Sequence, residues 1–142
     1  MGNPFIIERT YQSSPAEVWE ALTNPEKMKE WYFDIPGFKP EVGHKFEFFG
    51  GTEEKQYKHV CVVTEAIPRK KLSHTWTYEG YPGESVVSFE LFEEGTGTRL
   101  KLTHSGLETF PADNPDFAKK NFEMGWTDIV GSMLPDYLVS KK

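Results

Sequence analysis

The chain has 142 residues, enough to bury most of the apolar surface of one core, and its only cysteine, Cys61, allows no internal disulfide and no zinc-type Cys/His spacing. A net charge of −6 opposes phosphate backbones and anionic lipid surfaces, so nucleic acid is not an expected partner. With no apolar run long enough to span a bilayer, no signal-peptide pattern at Met1 to Phe5 and no cofactor motif, residues 1–142 read as one soluble cytoplasmic domain, expected as a monomer.

In chain order, Phe5 to Gln12 reads as a strand that ends at Ser13-Ser14-Pro15-Ala16-Glu17. Ser14 can cap a helix, Pro15 suits its first position and Glu17 completes a capping box, which predicts a short helix from Pro15 to Leu22. Asn24-Pro25-Glu26 repeats the cap-and-proline signal and starts a second short helix to about Trp31. After a loop punctuated by Pro36, Gly37, Pro40 and Gly43, five strands follow: Gly43 to Phe49, Gln56 to Ile67, Lys71 to Glu79, Glu84 to Glu93 and Thr98 to Ser105. Turn residues separate them at Gly50-Gly51, Pro68-Arg69, Gly80 to Gly83 and Gly95-Thr96-Gly97, connections short enough for an antiparallel meander. Asn114-Pro115-Asp116 gives a third cap and proline, and predicts a helix from Pro115 to Leu138, about 36 Å long. Gly125, Gly131 and Pro135 interrupt that helix, so packing rather than propensity must hold it, and a bend or an early end is expected near Pro135.

Aromatic residues make up 15% of the chain, with 11 Phe, 6 Tyr and 4 Trp, more than filling one core requires. Side chains two apart in a strand share a face, which puts Leu72, His74, Trp76 and Tyr78 together, Val87, Phe89 and Leu91 together, and Leu100, Leu102 and His104 together. If the C-terminal helix covers that face, Phe122, Trp126, Ile129 and Met133 meet Trp76, Phe89 and Phe46 or Phe48, with two imidazoles enclosed between them.

The segments "SSPAEVWEALTNPEKMKEWY", "EAIPRKKLSHTW", "SVVSFELFEEGTGTRLKLTHSGL" and "NFEMGWTDIVGSMLPDYL" resemble, in this order, the signatures of the family named after the activator of the heat-shock chaperone ATPase. That family lies in the START-like or SRPBCC superfamily, typified by the birch-pollen allergen, and the likeness spans about Phe5 to Leu138. The resemblance implies an α+β helix-grip fold: a curved six-stranded antiparallel sheet around a long C-terminal helix, with two short helices after the first strand. It also implies an internal cavity of the kind that takes lipids, sterols, polyketides or plant phenolics across the superfamily.

Three functional classes follow. The leading one is a binding module whose partner is a small hydrophobic molecule, aromatic or lipid-like, held by Trp31, Phe48, His74, Trp76, Tyr78, Phe89, His104, Phe122, Trp126 and Met133. Polar-tipped aromatics fill a dry core poorly, whereas ring faces can stack on a planar ligand while an indole N–H or phenol O–H orients it. Each of these residues also has an ordinary reading as core packing. The second class is a chaperone co-regulator, with a chaperone as partner, as the family name suggests. The third is an enzyme of cyclase or hydrolase type using His74, His104 and Tyr78, but no positioned third group is evident, so no catalytic residue is assigned. The acidic stretches Glu53-Glu54, Glu93-Glu94 and Asp113 to Asp116 read as solvated loops without metal geometry.

Overall fold

The computed structural model describes residues 4–51, 56–111 and 113–140; the Glu53-Glu54 pair lies outside them. Strand β1 (Phe5–Tyr11) leads into helices α1 (Pro15–Thr23) and α2 (Pro25–Trp31). The meander β2 (Lys45–Gly51), β3 (Gln56–Ile67), β4 (Lys71–Tyr78), β5 (Ser85–Glu94) and β6 (Gly97–Ser105) follows. Both short helices start as their local chemistry requires. Ser14 accepts from the Glu17 N–H at 3.2 Å while the Glu17 carboxylate accepts from the Ser14 N–H at 2.9 Å, and Asn24 accepts from the Glu26 N–H at 2.9 Å.

The six strands form one antiparallel sheet in the order β1-β6-β5-β4-β3-β2, so β1 closes the meander by pairing with the last strand. A register shift between Val63 and Glu65 in β3 marks a bulge, which bends that strand and increases the twist of this end of the sheet. Gly97 permits the approach of β1: a Cβ there would collide with the Tyr11 carbonyl oxygen. The period-2 pattern decides the inward face. Leu72, His74, Trp76 and Tyr78 are all buried, and Trp76 is 5% exposed, so the alternation in β4 points as the sequence indicates. One expected turn lies differently: Gly50 and Gly51 are the last residues of β2 rather than a connection.

The C-terminal segment departs from expectation in two ways. Asn114 and Pro115 do initiate a helical turn, with the Asn114 side chain accepting from the Asp116 N–H at 3.0 Å, but it is a single 3-10 turn over Pro115–Phe117. Ala118, at φ −67 and ψ 142, then extends the chain, and helix α3 begins only at Lys119 (Lys119–Asp128). The second departure is at Pro135. The helix does not end there; it passes through a π turn over Ile129–Met133, just before the proline, and is α-helical again through Pro135 in α4 (Leu134–Ser140).

The π turn has a local and a global cause. Locally, the Leu134 N–H reaches back to the Ile129 carbonyl and Pro135 has no N–H to offer, so the Val130 carbonyl falls outside the ladder. The buried Tyr11 hydroxyl donates to it at 2.6 Å, and burial raises the phenol pKa well above its ordinary value. Globally, the buried residues of this segment are Phe122, Trp126, Val130, Leu134 and Leu138, one every fourth position. A four-residue step overshoots an α-helical turn by about 40°, so four steps drift roughly 160° off the sheet; one extra residue per turn takes back about 100°. The π turn thus keeps the apolar stripe buried, with Val130 beside β1 and α4 against α1 and α2.

Candidate functional site

Between the concave face of β2–β4 and the start of α3 lies a cavity of about 500 Å³. The sheet contributes Gly50, Tyr57, His59, Trp76 and Tyr78 to its wall; the opposite side is Phe117 of the 3-10 turn with Phe122, Gly125, Trp126 and Ile129 of the helix. Phe33, from the loop after α2, closes a third side, and Asp116 and Asn121 sit at the turn. Much of the wall is aromatic. Trp76 and Trp126 meet edge to face with centroids 5.4 Å apart, Phe117 stacks on Tyr78 at 4.6 Å, and Phe48 stacks behind His59 at 4.5 Å.

Two glycines in the wall act by what they omit. A Cβ on Gly50 would come within 3.1 Å of both the His59 ring and the Phe33 ring, so glycine there makes room for them. A Cβ on Gly125 would meet nothing within 4 Å, and its backbone is ordinary helix. Gly125 therefore forgoes about 1 kcal/mol of helix propensity without any steric need, and the bare position keeps the cavity wide.

Four of the residues expected at the site line the cavity: Trp76, Tyr78, Phe122 and Trp126. Phe48 and Phe89 stand one layer behind it, Phe89 against Trp126 at 5.9 Å. Trp31 lies elsewhere, donating its indole N–H to the Ala21 carbonyl at 2.9 Å and stacking on Tyr137. Met133 is 41% exposed, because the π turn rotates it out of the buried stripe. The two enclosed imidazoles, His74 and His104, are buried but are not part of the wall.

His104 has no room for acid–base work. An indole N–H can only donate, so the 2.9 Å contact from Trp126 Nε1 makes His104 Nδ1 an acceptor, and the proton must sit on Nε2. Nε2 donates to Ser85 Oγ at 2.8 Å, and Ser85 donates in turn to the Trp76 carbonyl at 2.8 Å. The chain Trp126–His104–Ser85–Trp76 has one consistent proton direction and ties the helix to the sheet. Burial, with the neighbouring His74 adding to it, lowers the His104 pKa to about 3. His74 is likewise lowered to about 4 by burial, offset in part by its Nδ1–H donating to the Thr75 carbonyl at 2.8 Å.

The polar groups of the cavity are different ones. His59 donates Nδ1–H to the Tyr57 carbonyl at 2.9 Å, leaving the lone pair on Nε2, and burial lowers its pKa to about 4 against the opposing pull of the Tyr57 and Phe48 carbonyls. The Tyr78 hydroxyl oxygen accepts from Trp76 Nε1 at 2.9 Å, and burial pushes its pKa up. The Tyr57 hydroxyl donates to the Asp116 carboxylate, joining sheet to 3-10 turn, and Asn121 anchors that turn by donating to the Pro115 carbonyl at 2.7 Å. Sequence reasoning passed over Tyr57 and His59, although the alternation Tyr57, His59, Cys61, Val63 in β3 carries the same signal as β4. Phe33 and Phe117 lie in irregular segments where no periodicity could place them, whereas Asn121 shares the helix face of Gly125 and Ile129 at four-residue spacing. Among the described residues, no group of three His, Cys, Asp or Glu side chains could hold a metal ion.

The family described as "Activator of Hsp90 ATPase homolog 1-like protein" matches residues 12–138. The chain belongs to that family. Protein MLL2253 from Mesorhizobium loti is 30% identical, with 99% of each chain covered and a TM-score of 0.82. CalU16 from Micromonospora echinospora is 25% identical over 95% of this chain and 73% of its own, with a TM-score of 0.73. DynU16, of the dynemicin biosynthetic locus, shares the fold at a TM-score of 0.79 and 22% identity, covering 100% of this chain and 49% of its own. No curated protein matches the chain. The helix-grip architecture implied by the sequence is thus the fold this chain shares with these solved structures. Among the described residues, no helix is long and apolar enough to cross a membrane.

Proposed function

We propose that the chain binds a planar hydrophobic small molecule in the cavity between β2–β4 and α3. The observation that carries this reading is the wall itself: about 500 Å³ bounded largely by aromatic faces, with a helix glycine whose missing side chain keeps the volume open. Most of the binding free energy would come from apolar area removed from water, about 25 cal/mol per Å². CalU16 and DynU16, the latter a protein of the dynemicin biosynthetic locus, share the fold that encloses this cavity. Regulation of a chaperone ATPase rests on the family description alone, whereas the ligand reading has a cavity to support it.

The test is a titration with flavones, aromatic polyketides and fatty acids, followed by the indole and aromatic resonances of Trp76, Trp126 and Phe122. A planar aromatic should shift all three, and Gly125→Leu, which fills the cavity from a position where a side chain meets no obstacle, should abolish the shifts while the fold persists. Absence of any shift up to the solubility limit of every compound, or undiminished binding to Gly125→Leu, overturns the reading.

A further inference from the structure

Resting on the binding reading above, we infer that the cavity selects neutral ligands carrying both a carbonyl and a hydroxyl group, the Tyr78 hydroxyl donating to the first and His59 Nε2 accepting from the second. The pair is defined by where the protons already are. The Tyr78 oxygen already accepts from the Trp76 N–H, and among the described residues no acceptor takes its own proton. His59 has committed Nδ1–H to the Tyr57 carbonyl, so its lone pair sits on Nε2, and the Phe48 carbonyl that also acts on the ring is itself only an acceptor and leaves that lone pair without a donor among the described residues. The two rings are neighbours, with centroids 4.7 Å apart in an edge arrangement, and both border the cavity. One wall therefore presents one donor and one acceptor side by side.

The surroundings hold these roles in place. The His59 ring is wedged between Phe48, stacked at 4.5 Å, and Trp76, edge-on at 4.8 Å, and Phe117 stacks on Tyr78 at 4.6 Å. Neither ring can turn without displacing another aromatic. Burial keeps His59 uncharged near neutral pH and keeps the Tyr78 phenol protonated, so neither role inverts. Among the described residues no Lys or Arg lines the cavity, and the one carboxylate at its edge, Asp116, accepts from Tyr57. An anionic ligand would lose its hydration there with no counter-charge to replace it.

Four probes of similar shape separate the pair from the cavity: 2-phenylnaphthalene, flavone, 7-hydroxyflavone and a carboxylated flavone. Affinity should rise from the hydrocarbon to flavone to 7-hydroxyflavone, by roughly three- to tenfold per hydrogen bond, and should fall for the carboxylate. Tyr78→Phe should erase the advantage of flavone over 2-phenylnaphthalene, and His59→Phe the further advantage of 7-hydroxyflavone. Binding of 2-phenylnaphthalene, which uses neither hydrogen bond, should change far less than that of the probe whose hydrogen bond each variant removes, which shows that the cavity has survived substitution. Equal affinity of the three neutral probes for the wild-type chain overturns the inference and leaves the cavity reading standing. So does tightest binding by the carboxylate, or loss of 2-phenylnaphthalene in step with the other probes in both variants. Failure of all four to bind removes the cavity reading and this inference with it.

Discussion

The two halves of the sheet bury their inner faces in different ways. On β1, β6 and β5 the inward residues are mostly aliphatic: Ile7, Leu100, Leu102, Val87 and Leu91, in one core with Val130, Leu134 and Leu138 of the C-terminal segment. On β4, β3 and β2 they are mostly rings: Trp76, Tyr78, Tyr57, His59, Phe46 and Phe48, facing Phe117, Phe122 and Trp126. Branched aliphatic chains interdigitate to crystal-like density, and Leu100, Leu102 and Leu134 are wholly enclosed. Flat, rigid rings have only two side-chain torsions and meet edge to face or offset, so several of them around one space leave volume that none can turn to fill. The difference teaches that the cavity is a consequence of side-chain shape, arising where the aromatic excess is concentrated.

Acid should act on both halves with the largest effect. Burial holds His59 and His74 at about 4 and His104 at about 3, against an ordinary 6.5, so all three are neutral in the folded chain at pH 7. The unfolded chain takes up protons below that ordinary value while the folded chain does not. Their contribution is therefore fully present above pH 6.5 and drains away as pH falls toward 4, at up to about 1.4 kcal/mol per pH unit for each histidine. Urea midpoints between pH 7 and pH 4.5 should fall steeply. A flat profile would mean that the imidazoles are hydrated in the folded state. Ring resonances sharpen the comparison: His59, at the cavity wall, should begin to titrate at higher pH than the enclosed His104.

Truncation should separate the halves next. Leu102→Ala, at a wholly enclosed site, should cost about 3–4 kcal/mol in chemical denaturation, because the hole it leaves adds to the lost transfer energy. Phe122→Ala removes more atoms but enlarges a space that already exists, and should cost no more than Leu102→Ala. A markedly larger loss at Phe122 would break the distinction between a filled half and an open one. The smallest effect should be a gain: Gly125→Ala adds a methyl group facing open space in a helix and should stabilise the chain by about 0.5–1 kcal/mol. Destabilisation there would show that the position needs glycine for packing and not for free volume.

Local chemistry was legible in the sequence wherever one residue's immediate neighbours decide the outcome. The Ser14 capping box, the Asn24-Pro25 start, the alternation in β4 and the antiparallel meander all follow from interactions within a few residues, and the structure has each of them. So does the burial of Trp76 and Trp126 on facing surfaces, since period and phase suffice to aim a side chain inward. Tertiary structure alone decided which inward residues border free space. His104 and His59 both follow from strand alternation, yet one is locked between Trp126 and Ser85 while the other faces the cavity. That depends on which rings converge from five separate segments. The π turn is of the same kind: Pro135 signals an irregularity, but continuation of the helix rests on the Tyr11 hydroxyl satisfying the Val130 carbonyl from the far end of the chain. Met133 was misplaced for that reason, since one extra residue in a turn rotates a side chain by about 100° and no local rule anticipates a partner supplied by β1.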